Sequence, residues 1–262
     1  MEIDELIETM LMIEGIDDKY IFKAMFTAGG SGSGKSFIAR QMFAGMGMKF
    51  SNSDIPLEYL LKKRKLSFDI DPEKAVMYKK QMIARKKAKE IAGSREKMWI
   101  NGMLGLVVDG TGKKFQKIKN QSEGLRAIGY DTGMIFVNTS LDVALERNRN
   151  RKRSVPENVA INSWKAVQSN MGKFQNYFGG KNFFIVDNNK MLSKAELQKL
   201  GIRLRRTALK WAGKPVQNPV GKKTIEILKA TGGRTLADLE TANALAASKY
   251  DNFVQNCLQE IV

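Results

Sequence analysis

An α/β fold on a doubly wound parallel sheet is what this sequence predicts, and three observations predict it. From Tyr20 to Asn189, short apolar runs alternate with segments of helical period, a pattern that argues a parallel sheet covered by helices on both faces. A glycine-rich turn, "GGSGSGKS" from Gly29 to Ser36, joins the first apolar run to the helical segment after it. From Lys190 onward the chain reads as helices alone. The expected division is therefore a sheet domain over residues 1–189 and a basic helical C-terminal module over residues 190–262.

Each element follows from local pattern. "DELIETMLMIEG" places apolar residues at helical spacing with acids between and Gly15 behind, which predicts an amphipathic helix within residues 1–19, ahead of the core. "YIFKAMFTA" is a short apolar run ending at glycines, hence a buried strand, and "SFIARQMFAGM" continues as a helix. "FSNSDIP" lies where the second strand should end. Pro72 to Ile91 is strongly helical and basic. "MLGLVVDGTG" is a strand ending in a turn, "NQSEGLRAIGY" a helix, and "DTGMIFVNTS" a strand running into a turn. "LDVALERNRNRKR" is a helix entering a basic loop. "VPENVAINSWKAVQSNMGKF" is a helix with proline at its start, where the missing N–H does no harm. "KNFFIVDNN" closes the series as a strand.

Composition narrows the class. The single cysteine, Cys257, excludes a disulfide framework within the chain and fits a reducing compartment. The acidic start "MEIDELIETM" does not resemble a signal peptide, and runs such as "GMLGLVV" are too short to cross a bilayer. A soluble protein of the cytoplasm is expected. Histidine is absent, which removes the commonest general base and metal ligand. The net charge is +17. It gathers in "KKRK" from Lys62 to Lys65, "RKKAK" at Arg85, "RNRNRKR" at Arg147 and the stretch from Lys190 to Arg234. Such a balance suits a polyanionic partner, nucleic acid included; the lesser alternative for any single cluster is a solvated helix face.

The glycine-rich turn fits G-x-x-x-x-G-K-[ST] in the strand-to-helix setting that the motif requires. Gly29, Gly30, Ser31, Gly32, Ser33 and Gly34 let the backbone curl so that successive N–H groups face phosphate oxygens. Lys35 would reach the β- and γ-phosphates, Ser36 would ligate Mg²⁺, and the following helix adds its positive dipole end. Asp109, at the end of an apolar strand, stands where a second Mg²⁺-handling carboxylate belongs. There is no N-K-x-D for guanine and no "LSGGQ", so a GTPase and a transporter ATPase are disfavoured and a kinase remains. Asp54 is the candidate base for an acceptor hydroxyl, or else a helix cap. The arginines from Arg147 to Arg153 are candidates for a cationic lid over the transferring phosphoryl group, or else a solvated basic turn.

With "GGSGSGKS", "SNSD", "VVDGTG", "RNRNRKRSVPENV" and "IVDNN" in this order, the chain resembles the zeta-toxin-like and polynucleotide-kinase-like P-loop kinases, many of them phage-encoded. The resemblance covers about Tyr20 to Asn189. It implies an ATP- and Mg²⁺-dependent phosphotransferase acting on a hydroxyl of a nucleic-acid 5′ end or of a nucleotide or nucleotide-sugar. On it, Asp54 matches a catalytic aspartate, Arg151 a lid arginine whose segment begins at Arg147, and Asp187 to Asn189 the segment that closes the sheet, with Asn188 expected among the cofactor-binding residues. One departure is Leu57, where the polynucleotide kinase carries an arginine that grips the acceptor; Lys62, Lys63 or Arg85 could supply that grip instead. A second reading, from another class, is a nucleic-acid-binding or virion protein that keeps the fold as a scaffold. For that reading the basic side of "AELQKLGIRLRRTALKWAG", with Lys199, Arg203, Arg206 and Lys210, is the natural contact surface.

Overall fold

The computed structural model describes residues 15–68, 75–150, 155–190 and 193–238. The expected N-terminal helix, the Pro72 start of the basic helix, Arg151 and Cys257 lie outside them.

Five parallel strands form the sheet: β1 (Lys23–Ala28), β2 (Lys49–Ser51), β3 (Leu106–Asp109), β4 (Asp131–Asn138) and β5 (Phe183–Asp187), in the order β2-β3-β1-β4-β5. Between them run α1 (Lys35–Phe43), α2 (Asp54–Lys63), α3 (Ala75–Asn101), α4 (Phe115–Ala127), α5 (Leu141–Arg149) and α6 (Glu157–Phe178). Two helices follow the sheet, α7 (Lys194–Ala212) and α8 (Pro219–Thr231). The predicted doubly wound sheet is the observed one. Apolar runs become strands here because both faces are covered. Along β1, Ala24, Phe26 and Ala28 point into one core with Tyr130, Phe136 and Phe174, whereas Met25 points into the other with Ile38, Phe43 and Ile135. β2 is the short exception. It has three half-buried residues at the sheet's edge, too few to announce a strand by periodicity.

The segment expected as an appended module is built into both cores. Leu200, Leu204, Ala208 and Trp211 of α7 join the face that holds α1. Leu228 of α8 and Leu236 join the opposite face. Between the two helices the chain crosses the N-terminal edge of the sheet. There Asp131 accepts the N–H groups of Gln217 (2.8 Å) and Asn218 (2.9 Å) and pairs with the buried Lys23 at 2.6 Å. Helical spacing alone shows that α7 has an apolar side. What that side meets is decided by the sheet. Leu197, one turn before the buried stretch, stays exposed.

The parallel arrangement brings the C-terminal ends of β1, β2 and β3 to one rim. In open α/β sheets, ligands bind at that rim, beside the point where strand order reverses. Here the reversal falls between β1, which precedes α1, and β3.

Candidate functional site

The glycine-rich turn leaves the buried end of β1 and enters α1. Gly32 and Gly34 take φ of +81° and +80°, left-handed backbone that glycine adopts without a Cβ penalty. The space is also closed to larger residues. A Cβ on Gly32 would strike the carbonyl of Ala144 in α5, and one on Gly34 would strike the Asn188 amide. Gly30 lies against Trp164 of α6, whose indole N–H is fixed on the Thr139 carbonyl at 2.8 Å. No side chain caps α1, and no acid sits in its first turn. Its leading N–H groups and dipole are therefore open to an anion. Ser36 is exposed in that first turn.

Asp109 gathers the centre of the site. Its Oδ1 accepts from the Lys35 ammonium and from the Thr27 hydroxyl, both at 2.8 Å, and its Oδ2 accepts from Asn52 Nδ2 at 2.7 Å. Lys35 and Asp109 are both largely buried, with side chains 16% and 10% exposed. The sequence points to Lys35 and Asp109, and the structure puts them in contact. Thr27 belongs to no motif, and Asn52, although it lies inside "SNSD", has nothing in its local sequence that signals this part. Asn52 also accepts the backbone N–H of Asp54 at 2.5 Å, tying the start of α2 to Asp109.

The lid side holds together differently from the sequence expectation. Arg147 donates to the carbonyl oxygens of Asn188 (2.7 Å) and Lys190 (3.4 Å). Its guanidinium here anchors α5 to the loop after β5. Asn188 in turn donates to the Ser33 carbonyl at 2.8 Å, so the residue expected at the nucleotide site does lie against the phosphate-binding turn. Asn148, buried and unforeseen, accepts from Ser31 Oγ at 3.1 Å and donates to the Val155 carbonyl at 2.8 Å. It thereby clasps the turn to the point where the basic loop re-enters. Arg151 lies outside the described residues.

Asp54 is exposed as the first residue of α2. Of the helix-cap alternative, Ser53 before α2 makes no side-chain hydrogen bond to the helix, and Asn52 accepts the N–H of Asp54 itself. Leu57 is buried with Leu61, Ala84 and Ala88 between α2 and α3, which explains why no gripping cation stands there. Of the cations offered in its place, Lys62 pairs with Glu58 at 2.9 Å on the helix surface, and Lys63 stacks over Tyr59.

Beside Asp109 opens a cleft of about 350 Å³, lined among others by Ser51, Asn52, Glu96, Lys113, Lys114 and Lys117. Glu96 comes from α3 and is 6% exposed. Burial pushes its carboxyl above the usual carboxylate range; the Ser51 hydroxyl hydrogen bond and the nearby Lys117 charge pull the other way without prevailing.

A glycine cradle at a helix start, a lysine on a carboxylate and a cleft at the strands' C-terminal rim define a P-loop nucleotide-binding protein. The family model described as an AAA domain matches residues 25–174, and the chain belongs to that family. No curated protein sequence matches the chain. Solved structures similar to it include a gluconokinase from Sinorhizobium meliloti, at 16% identity over 80% of this chain and 98% of that one, with a TM-score of 0.40. A shikimate kinase from Bacteroides thetaiotaomicron is similar at 13% identity over 70% and 97%, with a TM-score of 0.41. A deoxyadenosine kinase from M. mycoides, solved with dATP, is similar at 16% identity over 70% and 98%, with a TM-score of 0.40. Among the described residues no helix is long and apolar enough to cross a membrane.

Proposed function

We propose that the protein is an ATP-dependent kinase that transfers the γ-phosphoryl group to a hydroxyl of a nucleic-acid 5′ end or of a nucleotide or nucleotide-sugar. The observation that carries this reading is the convergence of the glycine cradle, Lys35 and Asp109 beside a lysine-rimmed cleft.

The donor would lie with its phosphates along Gly29–Ser36. N–H groups of a turn closed to a Cβ at Gly32 by the backbone of α5 would meet the phosphate oxygens. Lys35 would leave Asp109 for the β- and γ-phosphates. The donor set suits Mg²⁺: Ser36 offers a hydroxyl and Asp109 a carboxylate, both hard oxygen ligands, and an ion held this way needs no all-protein cage. Bound there, Mg²⁺ would neutralise charge that develops on the phosphate oxygens. Asn148 and Arg147 would keep α5 seated on the cradle, and Arg151 is the sequence's candidate for stabilising charge on the transferring group. Asp54 is the sequence's candidate for acting on the acceptor.

Incubating the protein with γ-labelled ATP and a panel of 5′-hydroxyl oligonucleotides, nucleosides, nucleotides and nucleotide-sugars tests the reading. One class should become labelled, and Lys35→Ala should lower ATP affinity or turnover by about a hundredfold or more while leaving the fold intact. Unchanged ATP binding and labelling in that variant would remove the P-loop from the mechanism.

One observation favours a second reading. Lys199, Arg203, Arg206 and Lys210 are all exposed on α7 while its opposite side is buried. This stripe suits contact with a polyanion whether or not the site turns over.

A further inference from the structure

The cleft beside Asp109 contains a group that the fold does not need. Glu96 is nearly buried, yet among the described residues it caps no helix and forms no salt bridge. Its hydrogen-bond partner is the Ser51 hydroxyl, itself part of the cleft lining. Taking a carboxyl out of water costs free energy unless it is paired or used. The neighbouring carboxyl, Asp109, is different, because both of its oxygens are engaged by Thr27, Lys35 and Asn52.

The rim adds an independent observation. Lys113, Lys114 and Lys117 are exposed on the loop after β3 and the first turn of α4, with Lys89 facing them from α3. None of the four forms a salt bridge to a carboxylate of the same lining. Asn170 holds this loop from α6 by donating to the carbonyls of Gly112 and Lys113 at 3.1 and 2.9 Å, so the lysines stand on a fixed support. The floor is apolar, with Phe26, Val108 and Ile118. A hydrophobic floor, a cationic rim and one buried carboxyl make a pocket for a molecule with an apolar face, an anionic group and a hydroxyl.

We infer that this cleft is the acceptor site, that its ligand is a small hydroxylated compound bearing its own phosphate (a sugar phosphate or a mononucleotide), and that Glu96 binds the reacting hydroxyl. This rests on the kinase reading above. The acceptor's phosphate lies on the rim lysines and its ring covers the floor. Its hydroxyl reaches Glu96 at the end nearer Asp109. In transfer, the hydroxyl oxygen forms a bond to the γ-phosphorus and the bond from that phosphorus to the β,γ-bridging oxygen breaks, releasing ADP. The hydroxyl proton passes to the Glu96 carboxylate and then to water. Burial makes that carboxylate a stronger proton acceptor than an exposed one. Asp54 is not among the cleft's lining residues. The cleft's size favours a single nucleotide or sugar phosphate over a polymer.

The test uses the full-length protein with ribose 5-phosphate and adenosine 3′-monophosphate, their uncharged counterparts ribose and adenosine, and a 5′-hydroxyl oligonucleotide. ATP binding by calorimetry is the separate readout for the donor site. The phosphorylated compounds should be the better acceptors. Lys114→Ala combined with Lys117→Ala should raise KM for them by about tenfold or more and leave KM for the uncharged compounds in place. Glu96→Gln should lower kcat by about a hundredfold or more with little change in KM or in ATP affinity. The inference is overturned if uncharged compounds or the oligonucleotide alone are phosphorylated. It is equally overturned if Glu96→Gln keeps its kcat while Asp54→Asn loses it. Those results leave the kinase reading standing. ATP binding without phosphorylation of any acceptor in either panel overturns both.

Discussion

Replacing Gly32 by alanine separates two causes that coincide at the phosphate-binding turn. The first is conformational: at φ +81° an alanine costs about 1–2 kcal/mol. The second is steric. The new Cβ would meet the Ala144 carbonyl and lie 2.9 Å from its carbon. That neighbour is backbone of α5 and cannot rotate away, so relief requires moving the helix, at about 1–3 kcal/mol. The expected total is about 2–5 kcal/mol, a large share of the roughly 5–15 kcal/mol that holds a domain together. Gly45 supplies the control. It has φ +71° with nothing within 4 Å of an added Cβ, so Gly45→Ala should show the conformational cost alone. Urea denaturation of both variants measures the difference. Function should divide them too. A cradle pushed away from α5 disturbs the Ser31–Asn148 hydrogen bond, and misplacement on the order of 1 Å costs about a hundredfold in rate. Gly32→Ala should therefore lose turnover where Gly45→Ala keeps it. If the two variants melt together and both phosphorylate like the parent, the close seating of α5 on the turn is not what holds the site.

Leu204→Ala should destabilise the whole protein by about 2–5 kcal/mol, because Leu204 is buried with Met25 and Ile38 rather than in a core of its own; a separate low-stability transition in the urea curve, with the main one unmoved, would show α7 to be an independent module. Glu96→Gln should stabilise the protein at pH about 8 and match the parent near pH 4. Below its ordinary value of 4.5 the carboxyl is protonated in both states. As pH rises, the unfolded chain releases that proton while the folded chain holds it, so the parent's stability falls until the raised folded value is passed. Equal melting differences at the two pH values would count against this. Arg203→Glu with Arg206→Glu should abolish a nucleic-acid affinity that otherwise falls by about a hundredfold between low and physiological salt if several phosphates are contacted; equal affinity and salt slope in filter binding would remove the stripe as a contact surface.

What the sequence by itself determined was everything signalled by neighbours in the chain. The buried strands, the turn from Gly29 to Ser36, and the placing of Lys35 at a helix start and Asp109 at a strand end were legible. An apolar run flanked by glycines has few other ways to satisfy its backbone and bury its side chains. Tertiary structure decided what depends on distant neighbours. Glu96 sits in a helix as rich in charge as any solvated one; what sets it apart is the Ser51 hydroxyl of β2 on its carboxyl and the cleft it lines with Lys117 and Ile118 of α4. Asn52 acquires meaning from Asp109, fifty-seven residues away. Arg147 points to the loop after β5 because that loop's carbonyls come within its reach. The apolar side of α7 is visible in its spacing, but whether it closes this sheet or meets a partner is settled only by the strands it covers. Local pattern fixes which face of an element is apolar; the free energy of burying a polar group is set by what packs against it, and that is a property of the folded chain.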